Sequence, residues 1–395
     1  MKKVIIHIHT LYGGGAEKSL ISFLNSIPEN KYDIDLLLIS KTGLFLPLVP
    51  SWINIIDATF PYKCLAVSPH NIRYYLKHGI KYWFKKIFVM HKYKQETGLS
   101  FSQYLWKNWS SSIPVFQKQY DVAISYNDGI TNYYVIDKVK AQKKILWVHN
   151  EYDKLGYNRA YDETCFSKAD AIVTISELCR NNLVKNFPNL ENKFHILENI
   201  SNPNLINKLA LENISDPQFS NSSEDIKILS IGRLAPQKNY SLAVKAAKIL
   251  RDKGVKFKWF VIGEGVLRGE IESEIKQLDL CSNFILLGQR TNPYYYIKSS
   301  DIIVQSSLFE GKSIAIDEAK ILHKPIVSTN YNTVFDLLTD GVNGIITEMT
   351  PQGLASGIEE LINNPDKQTE LISNLEKENL NNLDEVNKYF NLIEN

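Results

Sequence analysis

Two glutamates separated by a glycine turn are the clearest candidates for chemistry in this sequence. Glu310 and Glu318 lie in the stretch SSLFEGKSIAIDEAKILHKPIVST. The run Asp301–Val304 predicts a buried parallel strand before them, and the apolar residues that follow have the spacing of a helix that contains Glu318. Glu310 is therefore expected on a loop at the carboxyl end of a strand, where open α/β sheets bind ligands.

The turn between the two glutamates, residues 311–313, is expected at the N-terminus of this helix. Free backbone N–H groups and the helix dipole at such a position favour a phosphate. An acid on each side of the anion site can accept hydrogen bonds from sugar hydroxyls. The pattern therefore indicates a site for a sugar nucleotide.

A second loop carries two cations. The segment GRLAPQKN, Gly232–Asn239, follows a predicted strand and precedes a predicted helix. Arg233 can bind two phosphate oxygens with its guanidinium fork, and Lys238 can serve as a point charge. Surface pairs of this kind are common. The interpretation of this loop as a diphosphate site is strengthened because the loop lies in the same half of the chain as the two glutamates.

Two glycine-rich segments follow predicted strands. In YGGGAE, residues 12–17, the glycines Gly14 and Gly15 would let the backbone approach a ligand. The segment matches neither a Walker A motif nor G-x-G-x-x-G, and a flexible turn is the alternative. At Gly263–Gly265, the third glycine of a dinucleotide fingerprint is replaced by Arg268, so no NAD site is predicted.

Polar residues in the first half also lie near predicted strand ends. His149 ends the predicted strand 145–149, where it is either a functional residue at the rim of the sheet or a structural histidine. Asn127 occupies a similar position on weaker grounds. Asp33 and Asp35 resemble the D-x-D metal site of some sugar transferases, but they flank the entrance to a strand, and no metal site is predicted.

Length and composition define the broad class. A chain of 395 residues, 44% apolar and 22% charged, is expected to form two globular domains. Its four cysteines show no C-x-x-C spacing and are expected to be reduced thiols. The start MKKVIIHIHT is interrupted by two histidines, so it predicts a first strand and not a signal peptide. No run approaches the roughly 18 apolar residues of a membrane span, and a cytoplasmic protein is expected.

Strand-like and helix-like runs alternate along the chain, which predicts an α/β fold with parallel sheets. The polar segment 199–225 is expected to form a hinge and a mobile loop between two doubly wound domains that face each other across a cleft. The predicted strands are 3–7, 34–39, 53–56, 122–125, 145–149, 171–175 and 194–197 in the first half, and 226–231, 257–262, 284–287, 301–304, 326–328 and 344–347 in the second.

The segment His70–Lys94 contains seven Lys or Arg residues and no acid. Four cations recur every four residues and are predicted to form a stripe on one side of a helix: Arg73, Lys77, Lys81 and Lys85. Beside them lies a predicted apolar face: Leu76, Ile80, Trp83, Phe84, Ile87 and Phe88. The pattern fits a helix in an anionic membrane interface, and it equally fits a core-packed helix with a solvated basic side. Nucleic-acid binding is not predicted, because the rest of the chain balances its charge.

Taken together, these motifs resemble the GT-B glycosyltransferases, specifically the retaining family 4 with its E-x7-E signature. The resemblance covers essentially the whole chain and includes GRLAPQK and FEGKSIAIDEA. The sequence around Glu310 is similar to bacterial surface-polysaccharide transferases. The resemblance implies an acceptor-binding Rossmann-like domain over residues 1–200 and a nucleotide-sugar-binding Rossmann-like domain over residues 201–378. It also implies a C-terminal helix, residues 379–395, that crosses back to the first domain.

The same resemblance implies roles for individual residues. The donor diphosphate would be held, in place of a metal, by side chains and amides of Arg233, Lys238, Gly14, Gly15, Ser313 and Ile314. Glu318 would bind the ribose, and Glu310 the donor sugar. His149 would lie near the sugar and the acceptor, with Asn127 on the acceptor side. Gln289 and Arg290 would contact the base. Lys312 departs from the family pattern, and its ammonium would reach the phosphates or the sugar.

The activity implied is transfer of a hexose, with retained anomeric configuration, from a nucleotide-diphosphate sugar, with UDP as the first expectation. The acceptor would be a glycan or a polyprenyl-diphosphate-linked sugar in bacterial surface-polysaccharide synthesis, at the inner face of the cell membrane. No metal or other cofactor is expected. Two alternatives remain open: an epimerase or phosphorylase on the same fold, and a non-catalytic scaffold in a polysaccharide assembly complex.

Overall fold

The computed structural model describes residues 1–12, 14–93, 98–219, 225–380 and 383–395. The chain divides into two compact units. The first comprises Met1–Tyr12, Ala16–Asn199 and Glu385–Asn395, and the second comprises Gly13–Gly15 and Ile200–Asp384. Each unit has its own parallel sheet and its own hydrophobic core.

The described part of the first unit contains a seven-stranded parallel sheet in the order β3-β2-β1-β4-β5-β6-β7. Its central strands are apolar along most of their length because helices cover both faces of such a sheet. The strands are β1 (Lys2–Ile8), β2 (Tyr32–Leu38), β3 (Asn54–Asp57), β4 (Gln119–Ser125), β5 (Lys140–Val148), β6 (Ala171–Thr174) and β7 (Phe194–Ile196).

Helices connect these strands, with four of the described helices between β3 and β4, and their inward faces supply a core rich in aromatic residues. Tyr62 and Tyr134 stack with 4.2 Å between ring centroids, and the buried Trp106 and Trp109 pack in the same cluster. The helices are α1 (Gly15–Ser26), α2 (Phe60–Ala66), α3 (Ile72–His78), α4 (Ile80–Tyr93), α5 (Phe101–Trp109), α6 (Ile130–Lys138), α7 (Arg159–Phe166) and α8 (Glu177–Asn186).

The second unit repeats the plan with a six-stranded parallel sheet in the order β10-β9-β8-β11-β12-β13. The strands are β8 (Ile226–Ile231), β9 (Phe257–Ile262), β10 (Phe284–Gly288), β11 (Ile302–Gln305), β12 (Ile326–Thr329) and β13 (Ile345–Thr347). The helices are α9 (Pro203–Ala210), α10 (Tyr240–Asp252), α11 (Arg268–Gln277), α12 (Pro293–Lys298), α13 (Ile314–Ile321), α14 (Pro351–Asn363) and α15 (Pro365–Lys377).

The last helix, α16 (Leu383–Glu394), packs within the first unit. The Tyr389 hydroxyl donates to the Glu198 carbonyl at 2.8 Å, and Lys143 Nζ donates to the Leu392 carbonyl at 2.6 Å. The Tyr389 ring also contacts Phe23, with 4.7 Å between centroids. The chain end is therefore anchored to the same unit as the chain start.

Every strand predicted from the apolar runs has a counterpart within a few residues in the structure, and the predicted α/β class with two Rossmann-like domains is confirmed. The interpretation of 199–225 as hinge and loop was wrong in part, since residues 203–210 form α9. Residues 220–224 of that segment lie outside the described residues. Among the described helices, each is too short or too polar to traverse a bilayer.

The predicted stripe of four cations on one helix was wrong. Helix α3 ends at His78, and Gly79 follows with φ of 139°, a backbone conformation that favours glycine. Helix α4 then starts afresh at Ile80, so Arg73 and Lys77 lie on one helix while Lys81 and Lys85 lie on the next. Lys94, at the end of the predicted segment, lies outside the described residues.

Candidate active site

The loops after β8 and β11 meet at the carboxyl edge of the second sheet because these two strands are parallel neighbours. The Leu308 amide donates to the Gln237 carbonyl at 2.8 Å, and the Ser306 hydroxyl donates to the Lys238 carbonyl at 2.8 Å. Gln237 Nε2 in turn donates to the Phe309 carbonyl at 3.0 Å. The cationic loop and the glutamate loop therefore form one unit of structure.

Glu310 is held by several donors. Lys238 Nζ lies 2.6 Å from Glu310 Oε1, and the Ser307 hydroxyl donates to the same oxygen at 2.7 Å. Gln237 Nε2 lies 3.1 Å from Oε2, and Thr333 Oγ1 donates to the Glu310 backbone carbonyl at 3.0 Å. The Glu310 side chain is 9% exposed. The carboxylate is thus fixed in position and retains slight access to solvent.

Arg233 differs from Lys238 in its surroundings. Its side chain is exposed, and it makes no hydrogen bond or ion pair with any residue in the described part of the chain. The backbone beside it is tightly packed: a Cβ on Gly263, where φ is 154°, would come within 1.9 Å of the Gly232 carbonyl oxygen. The loop is therefore fixed while the guanidinium of Arg233 is available to bind an anion.

Helix α13 begins beside this pair of loops. Ser313 caps it by accepting a hydrogen bond from the Ile316 amide, and its hydroxyl donates to Gln305 Oε1 at 2.5 Å. Gln305 Nε2 donates to the Tyr331 hydroxyl at 3.1 Å. Ser313 and Ile314, whose amides were assigned to the diphosphate, therefore form the helix start, as the sequence predicted. Lys312, partly exposed, directly precedes them.

Glu318 lies inside the protein, with 1% of its side chain exposed. The Tyr294 hydroxyl, at the start of α12, donates to it, and burial together with the charge of Glu318 raises the pKa of Tyr294 well above its ordinary value. Contact between Glu318 and a ribose requires the carboxylate oxygens to become accessible. The carboxylate is nevertheless oriented by a defined partner.

The segment predicted to contact the base lies at the end of β10. Gln289 is exposed, whereas the guanidinium of Arg290 lies 2.8 Å from Asp216 and 3.0 Å from Gln218 Oε1. The Tyr296 hydroxyl also donates to Asp216 at 2.7 Å. Burial opposes ionisation of Asp216, but the hydrogen bonds from Tyr296 and Arg290 lower its pKa overall. Arg290 thus ties residues 216–218 to the strand end.

In the first unit, His149 directly follows β5. Its Nε2 lies 2.9 Å from the Tyr126 carbonyl and must donate to it, which leaves Nδ1 unprotonated. Nδ1 is buried and has no hydrogen-bond partner among the described residues. Burial lowers the pKa of His149 to about 4, so the ring is neutral near pH 7. The backbone carbonyl of the nearby Asn127 accepts from Thr131 Oγ1 at 2.6 Å.

The remaining candidates have simpler surroundings. Gly14 precedes α1 and Gly15 is its first residue. Asp35, of the D-x-D pattern, accepts hydrogen bonds from Lys118 and Asn54, both at 2.6 Å, and from Tyr120. Burial raises its pKa, but these donors lower it below the ordinary value overall. Within the described ranges, no group of three His, Cys, Asp or Glu side chains is arranged to hold a metal ion.

Sequence analysis missed the residues that hold the two glutamates. Gln237 lies within the GRLAPQK motif, and Ser307 lies three residues before Glu310. Both could have been proposed as partners of Glu310 from their positions in these motifs. No sequence motif indicated Tyr294 or Thr333, because only the tertiary fold brings Tyr294 to Glu318 and Thr333 to Glu310.

Residues 212–378, which lie within the second unit, match the family of glycosyl transferases group 1. The chain is 29% identical to the uncharacterized glycosyltransferase MJ1059 of Methanocaldococcus jannaschii over 48% of this chain, and it spans 49% of that relative's length. It is 27% identical to a Campylobacter jejuni enzyme over 88% of this chain and 87% of the enzyme. That enzyme is named N-acetylgalactosamine-N,N'-diacetylbacillosaminyl-diphospho-undecaprenol 4-alpha-N-acetylgalactosaminyltransferase.

Solved structures share the fold at low sequence identity. The crystal structure of Anabaena Alr3699/HepE in complex with UDP-glucose aligns with a TM-score of 0.70 at 16% identity, covering 99% of both chains. A structure of a Staphylococcus aureus TarM mutant in complex with Fondaparinux, alpha-GlcNAc-glycerol and UDP aligns with a TM-score of 0.66 at 13% identity, covering both chains completely. The predicted GT-B fold is confirmed, and these findings support the predicted enzyme class, a hexosyltransferase.

Proposed function

We propose that this protein is a retaining glycosyltransferase that moves a hexose from a nucleotide-diphosphate sugar to a glycan or a polyprenyl-diphosphate-linked acceptor. The observation that carries the proposal is the joined pair of loops in the second unit. Arg233, which is exposed and has no ion-pair partner among the described residues, shares a loop there with Lys238 of the fixed Lys238–Glu310 ion pair, at the carboxyl edge of a parallel sheet. The match of residues 212–378 to glycosyl transferases group 1 covers both loops.

In the proposed mechanism, the main barrier is departure of the diphosphate. Arg233 and Lys238, together with the amides of Ser313 and Ile314, stabilise the charge that develops on it, and no metal ion takes part. Cations and amides that are already in place need little rearrangement as the bond breaks. Lys238 meets this condition because Glu310 fixes its ammonium group.

Glu310 is assigned to the hydroxyls of the donor sugar and to the placement of the anomeric carbon. It is a poor candidate for a covalent nucleophile, because both carboxylate oxygens are already engaged, Oε1 with Lys238 and Ser307 and Oε2 with Gln237. We therefore favour attack by the acceptor on the face from which the diphosphate leaves. The departing phosphate would take the acceptor's proton, and the anomeric configuration would be retained.

Residues on other elements complete the proposed site. Glu318 binds the ribose hydroxyls, Gln289 and Arg290 contact the base, and Lys312 reaches the phosphates or the sugar. The first unit is assigned to the acceptor, with His149 as a neutral hydrogen-bonding group and Asn127 nearby. Gly14 and Gly15 are assigned to the diphosphate.

The donor is proposed to be UDP-linked, and this is supported by the UDP and UDP-glucose complexes of structures with the same fold. The named Campylobacter jejuni relative acts on an undecaprenyl-diphosphate-linked sugar, which supports an acceptor of that class. Such an acceptor is a membrane lipid. We therefore place the reaction in bacterial surface-polysaccharide synthesis, in the cytoplasm at the inner face of the cell membrane.

The test is incubation of the full-length protein with a panel of UDP-hexoses and a short-chain polyprenyl-diphosphate sugar, in the presence of a chelator. The expected result is an elongated lipid-linked product whose new linkage has the donor's anomeric configuration by NMR. Epimerised donor without an acceptor, or a requirement for inorganic phosphate, would contradict the proposal. Turnover that appears only when a divalent metal is added would contradict the metal-free mechanism.

A further inference from the structure

The first unit exposes large apolar side chains on two consecutive helices, α3 and α4. Single exposed apolar residues are ordinary, but a group of them marks an interaction surface. The exposed fractions are 65% for Leu76, 62% for Phe84, 59% for Phe88, 43% for Ile72, 42% for Ile87 and 36% for Ile80.

The orientation of α4 is fixed by its opposite side. Lys86 is 4% exposed, and its ammonium donates to the Cys64 carbonyl at 2.7 Å and to other carbonyls at the end of α2. Trp83 Nε1 donates to the Pro69 carbonyl at 2.9 Å, and Val89 is buried. With this side held against the unit, the helix cannot rotate to hide its outward face.

That outward face is apolar. Ile80, Phe84, Ile87 and Phe88 follow the spacing i, i+4, i+7 and i+8, which places them on one side of α4. An ordinary surface helix buries such a side and exposes its polar one. Helix α4 instead carries apolar residues on both sides: Val89 and Trp83 pack inward, and this second face stays exposed. The exposed apolar face is therefore suited to contact with something outside the described chain.

The charged side chains of α3 and α4 themselves have one sign. Residues 58–95 contain no Asp or Glu, while Arg73, Lys77, Lys81 and Lys92 are exposed on the same two helices. Lys92 Nζ lies 4.8 Å from the centre of the Phe88 ring, so cation and aromatic ring share one surface. Aromatic and aliphatic side chains bordered by Lys and Arg are characteristic of helices that lie in the interface of an anionic membrane.

We propose that α3 and α4 form a docking surface for a lipid leaflet that contains anionic phospholipids. Ile80, Phe84 and Phe88 enter the boundary between headgroups and acyl chains, and the exposed cations bind lipid phosphates. This binding does not depend on glycosyl transfer or on a nucleotide. It would hold the first unit, to which the acceptor is assigned, against the leaflet.

The experiment is co-sedimentation of the full-length protein, without nucleotide, with two kinds of vesicle: phosphatidylcholine alone, and phosphatidylcholine mixed with phosphatidylglycerol. The wild type is expected to bind the mixed vesicles and to be released by high salt. The double variants Phe84→Ser/Phe88→Ser and Lys77→Glu/Lys81→Glu should each lower the partition coefficient by about tenfold or more. The altered side chains are exposed, so all variants should keep the circular dichroism spectrum and UDP affinity of the wild type.

Matched controls lie in the second unit. Val266 is 87% exposed, and Lys256 and Lys276 are exposed cations, so Val266→Ser and Lys256→Glu/Lys276→Glu should bind vesicles like the wild type. The proposal is overturned if the wild type does not sediment with the mixed vesicles, or if the α3 and α4 variants bind as well as the controls. It is also overturned if Phe84→Ser/Phe88→Ser converts a wild-type dimer into a monomer in solution, because the face would then be covered by a second copy.

Discussion

Lys238 and Glu310 form an ion pair, with 2.6 Å between Nζ and Oε1, although they belong to loops that follow two different strands. The side chains are 17% and 9% exposed, so salt screens the pair only weakly. Removing one partner leaves the other charge partly buried and uncompensated. The pair therefore links the proposed diphosphate site to the proposed sugar site, and substitutions at the two positions should have separable effects.

Replacing Glu310 with Gln or Ala should lower turnover by a factor on the order of a hundred or more, because the donor sugar loses its oriented carboxylate. Affinity for UDP should be largely kept, since Arg233 and Lys238 remain in place to bind the diphosphate. Turnover is measured by UDP release, and affinity by calorimetry. Glu270→Ala, at an exposed position of α11, is the control and should match the wild type. A Glu310 variant with near-normal turnover would remove this residue from the mechanism.

Arg233→Ala should weaken UDP binding by roughly 10- to 100-fold, the loss expected for charged hydrogen bonds of about 1.5–3 kcal/mol. Arg233→Lys should be intermediate, because an ammonium lacks the bidentate fork. Neither change should alter the melting temperature, since the side chain is exposed and unpaired within the described residues. The comparison is with Lys256→Ala in the same unit. Unchanged UDP affinity in Arg233→Ala would contradict the assignment.

Tyr294→Phe removes only the hydroxyl that donates to the buried Glu318. We expect the free energy of unfolding to fall by about 1–3 kcal/mol, because a buried carboxylate loses a hydrogen bond. UDP affinity should fall less than in Glu318→Ala, since the carboxylate remains but is less well oriented. Chemical denaturation and calorimetry measure the two effects. The control is Tyr295→Phe, the neighbouring tyrosine, and equal behaviour of the two variants would contradict the positioning role of Tyr294.

The pKa of His149, lowered by burial from 6.5 to about 4, predicts a pH dependence of stability. Between these two values the unfolded state binds more protons than the folded state, so stability falls as the pH drops from 6.5 towards 4. His149→Asn should reduce the slope of melting temperature against pH in that window. Part of the slope should remain, because burial also lowers the pKa values of His7 and His9. The same variant should also lower turnover, and its pH–rate profile should show no new ionisation near neutral pH.

An unchanged slope of melting temperature in His149→Asn would mean that the histidine titrates normally in the folded protein. A rate that follows an ionisation of His149 near pH 7 would contradict its role as a neutral group.

The fold was predictable because the buried parallel strands are continuous apolar runs, and Ile302–Gln305 and Ile326–Thr329 bracket the glutamate loop as expected. The meeting of Gln237 with Glu310 was not predicted, since it depends on the pairing of β8 with β11. Gly79 was not recognised as the break between α3 and α4, because four-residue spacing of cations continues across it. The involvement of Arg290 with Asp216 likewise depends on tertiary structure.

We infer that the second unit binds a nucleoside diphosphate through Arg233, Lys238 and Glu318 without a metal ion. This inference is tested by calorimetric titration of the full-length protein with UDP, GDP, ADP and CMP in the presence of a chelator, alongside Glu318→Ala and the control Glu270→Ala. We expect that the wild type and the control bind one nucleotide, UDP, and that Glu318→Ala binds it at least about tenfold more weakly. A folded wild-type protein that binds none of the four, or a Glu318→Ala variant with unchanged affinity, would contradict the claim.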